Sequence, residues 1–216
     1  TATNATLTAT GGTVRLEARS DVDVNEDGDN VFSNGLSVTV VTSFNKASVL
    51  VDGSSALSGA KVELDAAVNG SLVATPNSST VRVIEVLAGF DASVHVGGTA
   101  SLAGSTGVDA KAHTDATVNA YATPGSSNNN ANFDAAIVNV NILNSPLDGT
   151  FSGGADVTVD GTATINSGAA DTNLHADDKL VVTSQADGDV IGTAGATLAI
   201  NTVTNFDTRA RLGGGA

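Results

Sequence analysis

The acidic segment near the start of the chain carries the sharpest chemical signal in the sequence. Oxygen-bearing side chains stand there at every second residue, at Asp23, Asn25, Asp27 and Asp29, with Gly28 between the last two. The order Asp-x-Asn-x-Asp-Gly is the opening half of a calcium-binding loop, in which side-chain oxygens surround the ion and glycine allows the tight turn. If an ion binds at these four residues, we predict Ca²⁺, because all the ligands are hard oxygens. The closing half of the loop is missing, since Asn34 stands where the motif has a glutamate, and this favours a solvated acidic segment instead.

The other titratable residues form no recognisable catalytic set. His95, His113 and His175 are far apart in the sequence, and each stands on the phase of its strand that points to solvent. No nucleophile elbow, metal-binding helix, P-loop or dinucleotide fingerprint is present. Cysteine is absent, which excludes disulfides, thiol catalysis and zinc–thiolate sites. We therefore predict a protein that is not an enzyme and has no catalytic residue.

Two other function classes remain open. Asp177, Asp178, Asp187 and Asp189 could share one face if their strands stack, and polysaccharide-active enzymes work with paired acids. Against this, Tyr121 is the only tyrosine and tryptophan is absent, so aromatic platforms for a sugar are scarce. A glycan- or ice-binding module is suggested by the threonines of residues 1–8, although the rest of the chain is too irregular for a flat threonine array.

Composition limits both the partners and the core. The 216 residues carry a net charge of −14 and only 9 lysines and arginines, too few for a run of phosphate contacts with nucleic acid. No apolar run approaches the roughly 20 residues that span a bilayer, so we expect no membrane insertion. Hydrophobic residues make up 41% of the chain and aromatic residues 3%. The core must therefore consist of valine, alanine, leucine and isoleucine.

One short phrase, Ala-x-Val-x-Val-x-Gly, recurs along the chain. It begins at Ala47, Ala92 and Ala155, and a truncated fourth copy begins at Thr208. Successive copies are separated by 45, 63 and 53 residues. Recurrence at such intervals is typical of repeat architectures, in which insertions form loops. We expect residues 1–216 to be one continuous β-solenoid segment of a longer repetitive chain, with units at about 1–46, 47–91, 92–154, 155–207 and the truncated 208–216.

Within the units, apolar and polar residues alternate with period two, which predicts strands that bury one face. Such alternation runs through residues 13–24 and 61–66, and further strands are predicted at 81–86, 108–112, 116–122, 137–142, 180–183 and 197–203. No stretch has the apolar stripe of a helix, so almost no helix is expected. Internal repetition favours a parallel β-helix over a sandwich or barrel. The inward residues are predicted to include Val14, Leu16, Val49, Val51, Val62, Leu64, Val94, Val96, Val157 and Val159.

The repeated phrase, with the x-Val-x-Leu-x-Ala strands at residues 13–18 and 61–66, resembles the large repetitive secreted adhesins of bacteria, the filamentous-haemagglutinin-like proteins. The resemblance implies a right-handed parallel β-helix, export to the cell surface or exterior, adhesion and biofilm association. From the family's coils of ~20–25 residues we expect about ten coils and a length of about 50 Å. The implied function is a non-catalytic structural or adhesive segment of a surface protein or extracellular filament, with surface glycans or other cells as partners.

The ends of the sequence suggest self-association. The last unit stops after residue 216, and joining this end to Thr1 of another copy restores the repeated phrase. Bare strand edges at both ends promote pairing with further strands. We therefore expect the first coil of one segment to stack on the last coil of an equivalent segment.

Overall fold

A computed structural model describes residues 1–32, 35–76, 81–122, 133–142, 153–187, 194–204 and 206–213. All regular elements in these ranges are β-strands, so the all-β prediction is confirmed. None of the described elements is a helix able to cross a membrane. The described strands are β1 (Ala2–Thr3), β2 (Thr6–Thr8), β3 (Thr13–Phe32), β4 (Leu36–Asp52), β5 (Ala56–Gly59), β6 (Lys61–Pro76), β7 (Val81–Val96), β8 (Ser101–Gly104), β9 (Val108–Ala122), β10 (Phe133–Ile142), β11 (Gly153–Val159), β12 (Thr164–Asn166), β13 (Thr172–Ala186), β14 (Ala194–Val203) and β15 (Phe206–Leu212).

The chain visits three groups of parallel strands in a fixed order. Sheet I contains β1, β4, β7, then β10 with β11, then β14 with β15. Sheet II contains the short strands β2, β5, β8 and β12. Sheet III contains β3, β6, β9 and β13. The end of β3 also pairs antiparallel with the start of β4, which joins sheets I and III.

One passage through the three sheets is much longer than expected. Ser48 and its neighbour Ser93 are 45 residues apart, and Asp109 and its neighbour Asn173 are 64 residues apart. The expectation of ~20–25 residues per coil, and with it the ten coils, is therefore wrong. The strands of sheet III have 15 to 20 residues each. One passage through the long sheets I and III and the short sheet II therefore needs about twice the expected 20–25 residues. The 45, 63 and 53 residues between successive copies of the repeated phrase are the numbers of residues in successive passages, because these copies are paired in register in sheet I.

The inner faces of the three sheets line one hydrophobic core. Nine of the ten predicted inward residues are buried, and the tenth, Leu16, is half-buried and packs against the same core. Like residues lie on one another across neighbouring strands, as in the column Val49, Val94 and Val157. Alternating small apolar residues thus form these sheets because one face of each strand can be buried completely.

The corner between sheets I and II is built on a stack of glycines. Gly53, Gly98 and Gly161 have φ values of 67°, 64° and 68°, which a side chain would strain. The amide of Thr99 donates to the carbonyl of Gly53 at 2.8 Å, so successive corners are hydrogen-bonded. A Cβ atom at Gly98 would lie 2.8 Å from the backbone nitrogen of Gly53. The glycine of the repeated phrase is therefore required by both conformation and close stacking.

The phenylalanines that precede the repeated phrase, Phe44, Phe90 and Phe206, do not form one column. Phe90 is fully buried and pairs in register with Asn45, whereas Phe44 lies on the outer face. Phe206 is in register with Gly153. The aromatic residue of the first copy is displaced by one position, and one position reverses the face of a strand.

The far end of the core is polar, which sequence periodicity did not predict. Arg82 is 2% exposed, and its guanidinium donates to the backbone carbonyl of Asp187 at 2.9 Å. Ser37 and Thr39 are buried on the neighbouring strand, and Thr39 donates to the carbonyl of Thr75 at 3.1 Å. Hydrogen bonds to backbone carbonyls thus accompany these buried polar groups.

The register predicts a disulfide between cysteines placed at Ser48 and Ser93. The two hydroxyl oxygens are 3.0 Å apart, and neighbouring strands place the Cα atoms about 4.8 Å apart, within disulfide range. We expect the double variant to oxidise within one chain and to migrate faster on a non-reducing gel. A control with cysteines at Ser48 and His95 is two residues out of register and should stay reduced. Oxidation of the control but not of the first pair would contradict this register.

Candidate functional site

The outer face of sheet III is a grid of polar groups ordered by strand register. One column contains Asp21, Asn69, Asp115 and Lys179, one from each strand. The Asn69 amide donates to Asp21 at 2.6 Å, and the Lys179 ammonium lies 3.1 Å from both carboxylate oxygens of Asp115. In this column a hydrogen bond connects β3 with β6 and an ion pair connects β9 with β13, across 48 and 64 residues of sequence.

Adjacent columns of the same face contain further cross-strand pairs. Nδ1 of His113 lies 3.3 Å from the carboxylate of Asp177. The guanidinium of Arg15 lies 3.1 Å from Asp65 and 3.3 Å from Glu17. Each such exposed pair contributes about 0.2–1 kcal/mol. Glu17 and Asp65 lie directly opposite each other on neighbouring strands, and Arg15 contacts both carboxylates.

Lys61 joins two acids on neighbouring strands. Its ammonium lies 2.6 Å from Asp109 and 2.7 Å from Glu63. These hydrogen bonds, first to Asp109 and then to Glu63, raise the pKa of Lys61. The hydrogen bond from Lys61, followed by the one from Asn173, lowers the pKa of Asp109. The folded chain therefore favours the charged forms of both partners.

Acid is expected to remove the stabilisation at Asp109. Because folding lowers its pKa from 3.8, the contribution is present above that value and is lost as the pH falls through the folded pKa. Asp109→Asn should be less stable than the parent at about pH 7, and the difference should be smaller at about pH 3, below the ordinary pKa of 3.8. Denaturant unfolding at both pH values measures this, with Asp171→Asn as a control outside the network. Equal losses in both variants would contradict the prediction.

The predicted calcium ligands lie on an extended strand. Asp23, Asn25 and Asp27 are exposed on the outer side of β3, and successive outward residues of a strand are about 6.6 Å apart. The oxygens thus form a row, in which Asp27 accepts a hydrogen bond from Thr75 at 2.5 Å. The side chain of Asp29 lies outside the described residues. Within the described part of the chain, no three His, Asp or Glu side chains are grouped as a metal site. Calcium stays a prediction, which calorimetric titration can decide.

A shallow, open groove crosses the centre of this face. Its lining includes Asp21, Asp23, Asn69, Ser71 and Asp115, from three strands of sheet III. The groove therefore presents carboxylate, amide and hydroxyl groups to solvent. Sequence reasoning did not bring these residues together, because their proximity depends on the register between distant strands.

The acids considered for polysaccharide chemistry do not share one face. Asp177 is exposed on the outer face, whereas Asp178 points inward and accepts hydrogen bonds from threonine hydroxyls of β9 and β15. Adjacent residues of a strand point to opposite faces, so these two carboxylates cannot act as a pair on one face. Asp187 lies just past the end of β13, and Asp189 is outside the described residues.

The three histidines lie on outward positions, as the alternation predicts. Nε2 of His95 lies 3.7 Å from Asp160 on sheet I. His113 and His175 belong to neighbouring strands of sheet III, in different columns. The structure thus places the histidines in the polar surface rather than in one cluster.

An apolar column on the outer face of sheet I was not predicted. Val38, Val83, Ile137 and Leu198 lie in register across four strands. Ile137 is 39% exposed and Leu198 is 51% exposed. Contiguous apolar residues on an outer face are typical of surfaces that contact other molecules.

Sheet III has two open edges in the described part of the chain. Residues 13–28 of β3 pair with β6, and residues 172–186 of β13 pair with β9, which leaves the opposite side of each strand open. An open edge presents unpaired N–H and C=O groups that can pair with a further strand. The structure thus offers a polar grid, an apolar column and two open edges as interaction surfaces.

A comparison of the chain with family models, curated proteins and solved structures found no match. Function must therefore follow from the strand register, the surface charges and the open edges of sheet III.

Proposed function

We propose that the chain is a right-handed parallel β-helix that serves as a non-catalytic structural and adhesive segment of a large secreted bacterial surface protein or extracellular filament. Three sheets that each gain a parallel strand on every passage of the chain support the solenoid. The right-handed sense is that of nearly all crossover connections between parallel strands. The cell surface or exterior is the proposed location, with surface glycans or other cells as partners.

The observation that carries the structural role is the pairing of outer polar groups from strand to strand. Asn69 binds Asp21, Lys61 binds Asp109, and Lys179 binds Asp115. These contacts link neighbouring strands along the direction in which the strands stack. Polar side chains that bind each other in this direction stiffen the stack, as a rod-like structural segment requires.

Acidity supports an exposed location. A net charge of −14 with only 9 basic residues gives a surface that repels anionic molecules and attracts cations. The absence of cysteine leaves stability to the stacked core rather than to disulfides.

A glycan-binding module is the second candidate, and the groove on sheet III favours it. Carboxylate and amide groups of Asp21, Asn69 and Asp115 are hydrogen-bonding partners for sugar hydroxyls. A polysaccharide-active enzyme is a less favoured variant of this candidate, because Asp177 and Asp178 lie on opposite faces.

Electron microscopy of the purified chain, together with a polysaccharide-degradation assay, tests the structural role. We expect elongated, unbranched particles and intact acidic polysaccharides after incubation. Retardation in gels that contain a polysaccharide would favour the glycan-binding candidate. Release of new chain ends from the polysaccharide would contradict the structural role.

A further inference from the structure

We propose that the open edge of β13 in one copy pairs in parallel with the open edge of β3 in a second copy, in the column register that the internal strands use. The proposed structural function underlies this inference, which adds the partner and the register. The column of Asp21, Asn69, Asp115 and Lys179 would then continue into the second copy, with Asp21 of that copy directly across from Lys179. All other columns continue in the same way.

Outward charges at the two edges are opposite in this register. Two of the facing pairs have opposite charges, Lys179 with Asp21 and Asp177 with Arg19, and His175 faces Glu17. The side chains of Lys179, Asp177 and Arg19 are 60%, 55% and 52% exposed in the single copy, so they are accessible to a second chain. Opposite charges directly across neighbouring strands stabilise a sheet.

The same kind of contact already connects the internal strands. Lys179 lies 3.1 Å from Asp115, and Asp177 lies 3.3 Å from His113, each within its own column. A second copy would give Lys179 and Asp177 one further partner each, on the open side. The junction between copies would therefore repeat the chemistry of the chain's own strand pairs.

The charges also select this register over its neighbours. A shift of two residues in one direction places Lys179 opposite Arg19 and Asp177 opposite Glu17. A shift in the other direction keeps an acid, Asp23, opposite Lys179 but places Asp177 opposite Asp21. Like charges directly across strands are destabilising. A shift of one residue is worse, because it turns the apolar face of the added strand to solvent.

Inward residues at the two edges match in the same register. In the single copy these apolar side chains are half-buried and pack on the core, because each lacks a neighbour on one side. The matched apolar residues are Leu174 with Leu16, Ala176 with Ala18, Leu180 with Val22, and Val182 with Val24. Asp178 faces Ser20, whose hydroxyl is a hydrogen-bond donor to the carboxylate. Stacking would therefore bury apolar surface and keep a polar residue opposite a polar one.

In sheet I the same junction requires two short pairings of the second copy to open. The edge of β4 is already paired near residues 36–38 by β3 and at residues 51–52 by β1. In the column register, β14 of the first copy faces residues 36–43 of β4 and β15 faces residues 46–51, so the end of β3 and β1 must leave this edge when the copies stack. Asp207 then lies opposite Lys46 of the second copy, a third pair of opposite charges.

Cysteine cross-linking between two variants tests the register while leaving the charged pairs intact. Thr183 and Asn25 belong to one column, are exposed, and carry no charge. Mixing Thr183→Cys chains with tagged Asn25→Cys chains should give a disulfide-linked dimer with one copy of each. Val181→Cys mixed with Asn25→Cys is two residues out of register and should not. Equal cross-linking in both mixtures, or none in the first, would overturn the proposed pairing.

Charge reversal tests the proposed recognition. Lys179→Asp and Asp21→Lys each place like charges at the junction and should weaken assembly about tenfold in ultracentrifugation. An equal mixture of the two variants should recover assembly, because every junction in an alternating stack then joins opposite charges. Lys111→Asp, on the internal strand β9, is the matched control and should assemble normally.

The outcomes separate this inference from the proposed function. Failure of the mixture to recover assembly, or an equal loss in Lys111→Asp, would overturn the charge-selected pairing. Elongated particles whose contacts ignore these charges would overturn the pairing and leave the structural role standing. Degradation of a polysaccharide would overturn the structural role, whatever the cross-linking shows.

Discussion

Replacing Val118 with aspartate is expected to prevent the chain from folding. Val118 is fully buried on the inner side of β9, between Leu72 and Val182 in its column. A carboxylate there would lose its hydration inside an apolar core, at a cost of several kcal/mol. Because whole domains are stable by only about 5–15 kcal/mol, this one change removes much or all of the margin. Circular dichroism and denaturant unfolding measure the loss.

Asn119→Asp is the matched control for this substitution. Asn119 is the adjacent residue of the same strand and lies on the outer face, between Val73 and Thr183. The variant adds the same negative charge with almost no change in shape, and we expect its free energy of unfolding to change by less than about 0.5 kcal/mol. Similar losses in both variants would mean that the assigned inner and outer faces of β9 are wrong.

Truncation of Phe90 to alanine is expected to cost about 3–5 kcal/mol in the free energy of unfolding. The ring is completely buried between sheets I and III, where the other core residues are small. Its edge occupies the space above Gly70, because a Cβ atom there would lie 2.3 Å from the ring. Urea unfolding of the variant measures the cost, and a loss below about 1 kcal/mol would contradict this packing.

Gly70→Ala tests the same contact from the opposite side. The added methyl group overlaps the Phe90 ring, and we expect a loss of about 1–3 kcal/mol from overpacking. Gly12→Ala is the control, because the nearest atom to its added methyl, the Cβ of Ala9, is 3.7 Å away. In the background of Phe90→Leu, the Gly70→Ala substitution should cost less, and this non-additivity is the signature of direct contact. Additive losses would contradict the contact.

The alternation of residue types predicted the strands and their buried faces, but the size of the repeat was missed. The strands predicted at residues 108–112 and 116–122 are one strand, β9, because the inward position between them holds Thr114 instead of an apolar residue. Thr114 remains buried in the strand by donating to Asp178 on β13. Local periodicity cannot show a hydrogen bond to a residue 64 positions away, so the sequence suggested shorter strands. The shorter coils were implied by the resemblance to the adhesin family.

The candidate sites were less predictable than the fold. Outward positions of His95, His113 and His175 follow from alternation alone. The column that contains Asp21, Asn69, Asp115 and Lys179 does not follow from alternation. The loops between strands differ in length, so the sequence separation between neighbours in a column differs at every passage. The alternating acidic residues near Asp23 also have two explanations. The same spacing occurs in a calcium-binding loop and on the outer face of a strand in an acidic protein.

The helical rise of assembled particles, measured by cryo-electron microscopy, tests the central claim most directly. In the described residues, sheets II and III each receive four strands from one copy. With strands about 4.8 Å apart, head-to-tail stacking through β13 and β3 predicts a rise of about 19 Å per copy, with Lys179 beside Asp21 at each junction. A chain that stays monomeric at high concentration, or filaments with a different rise, would contradict the account.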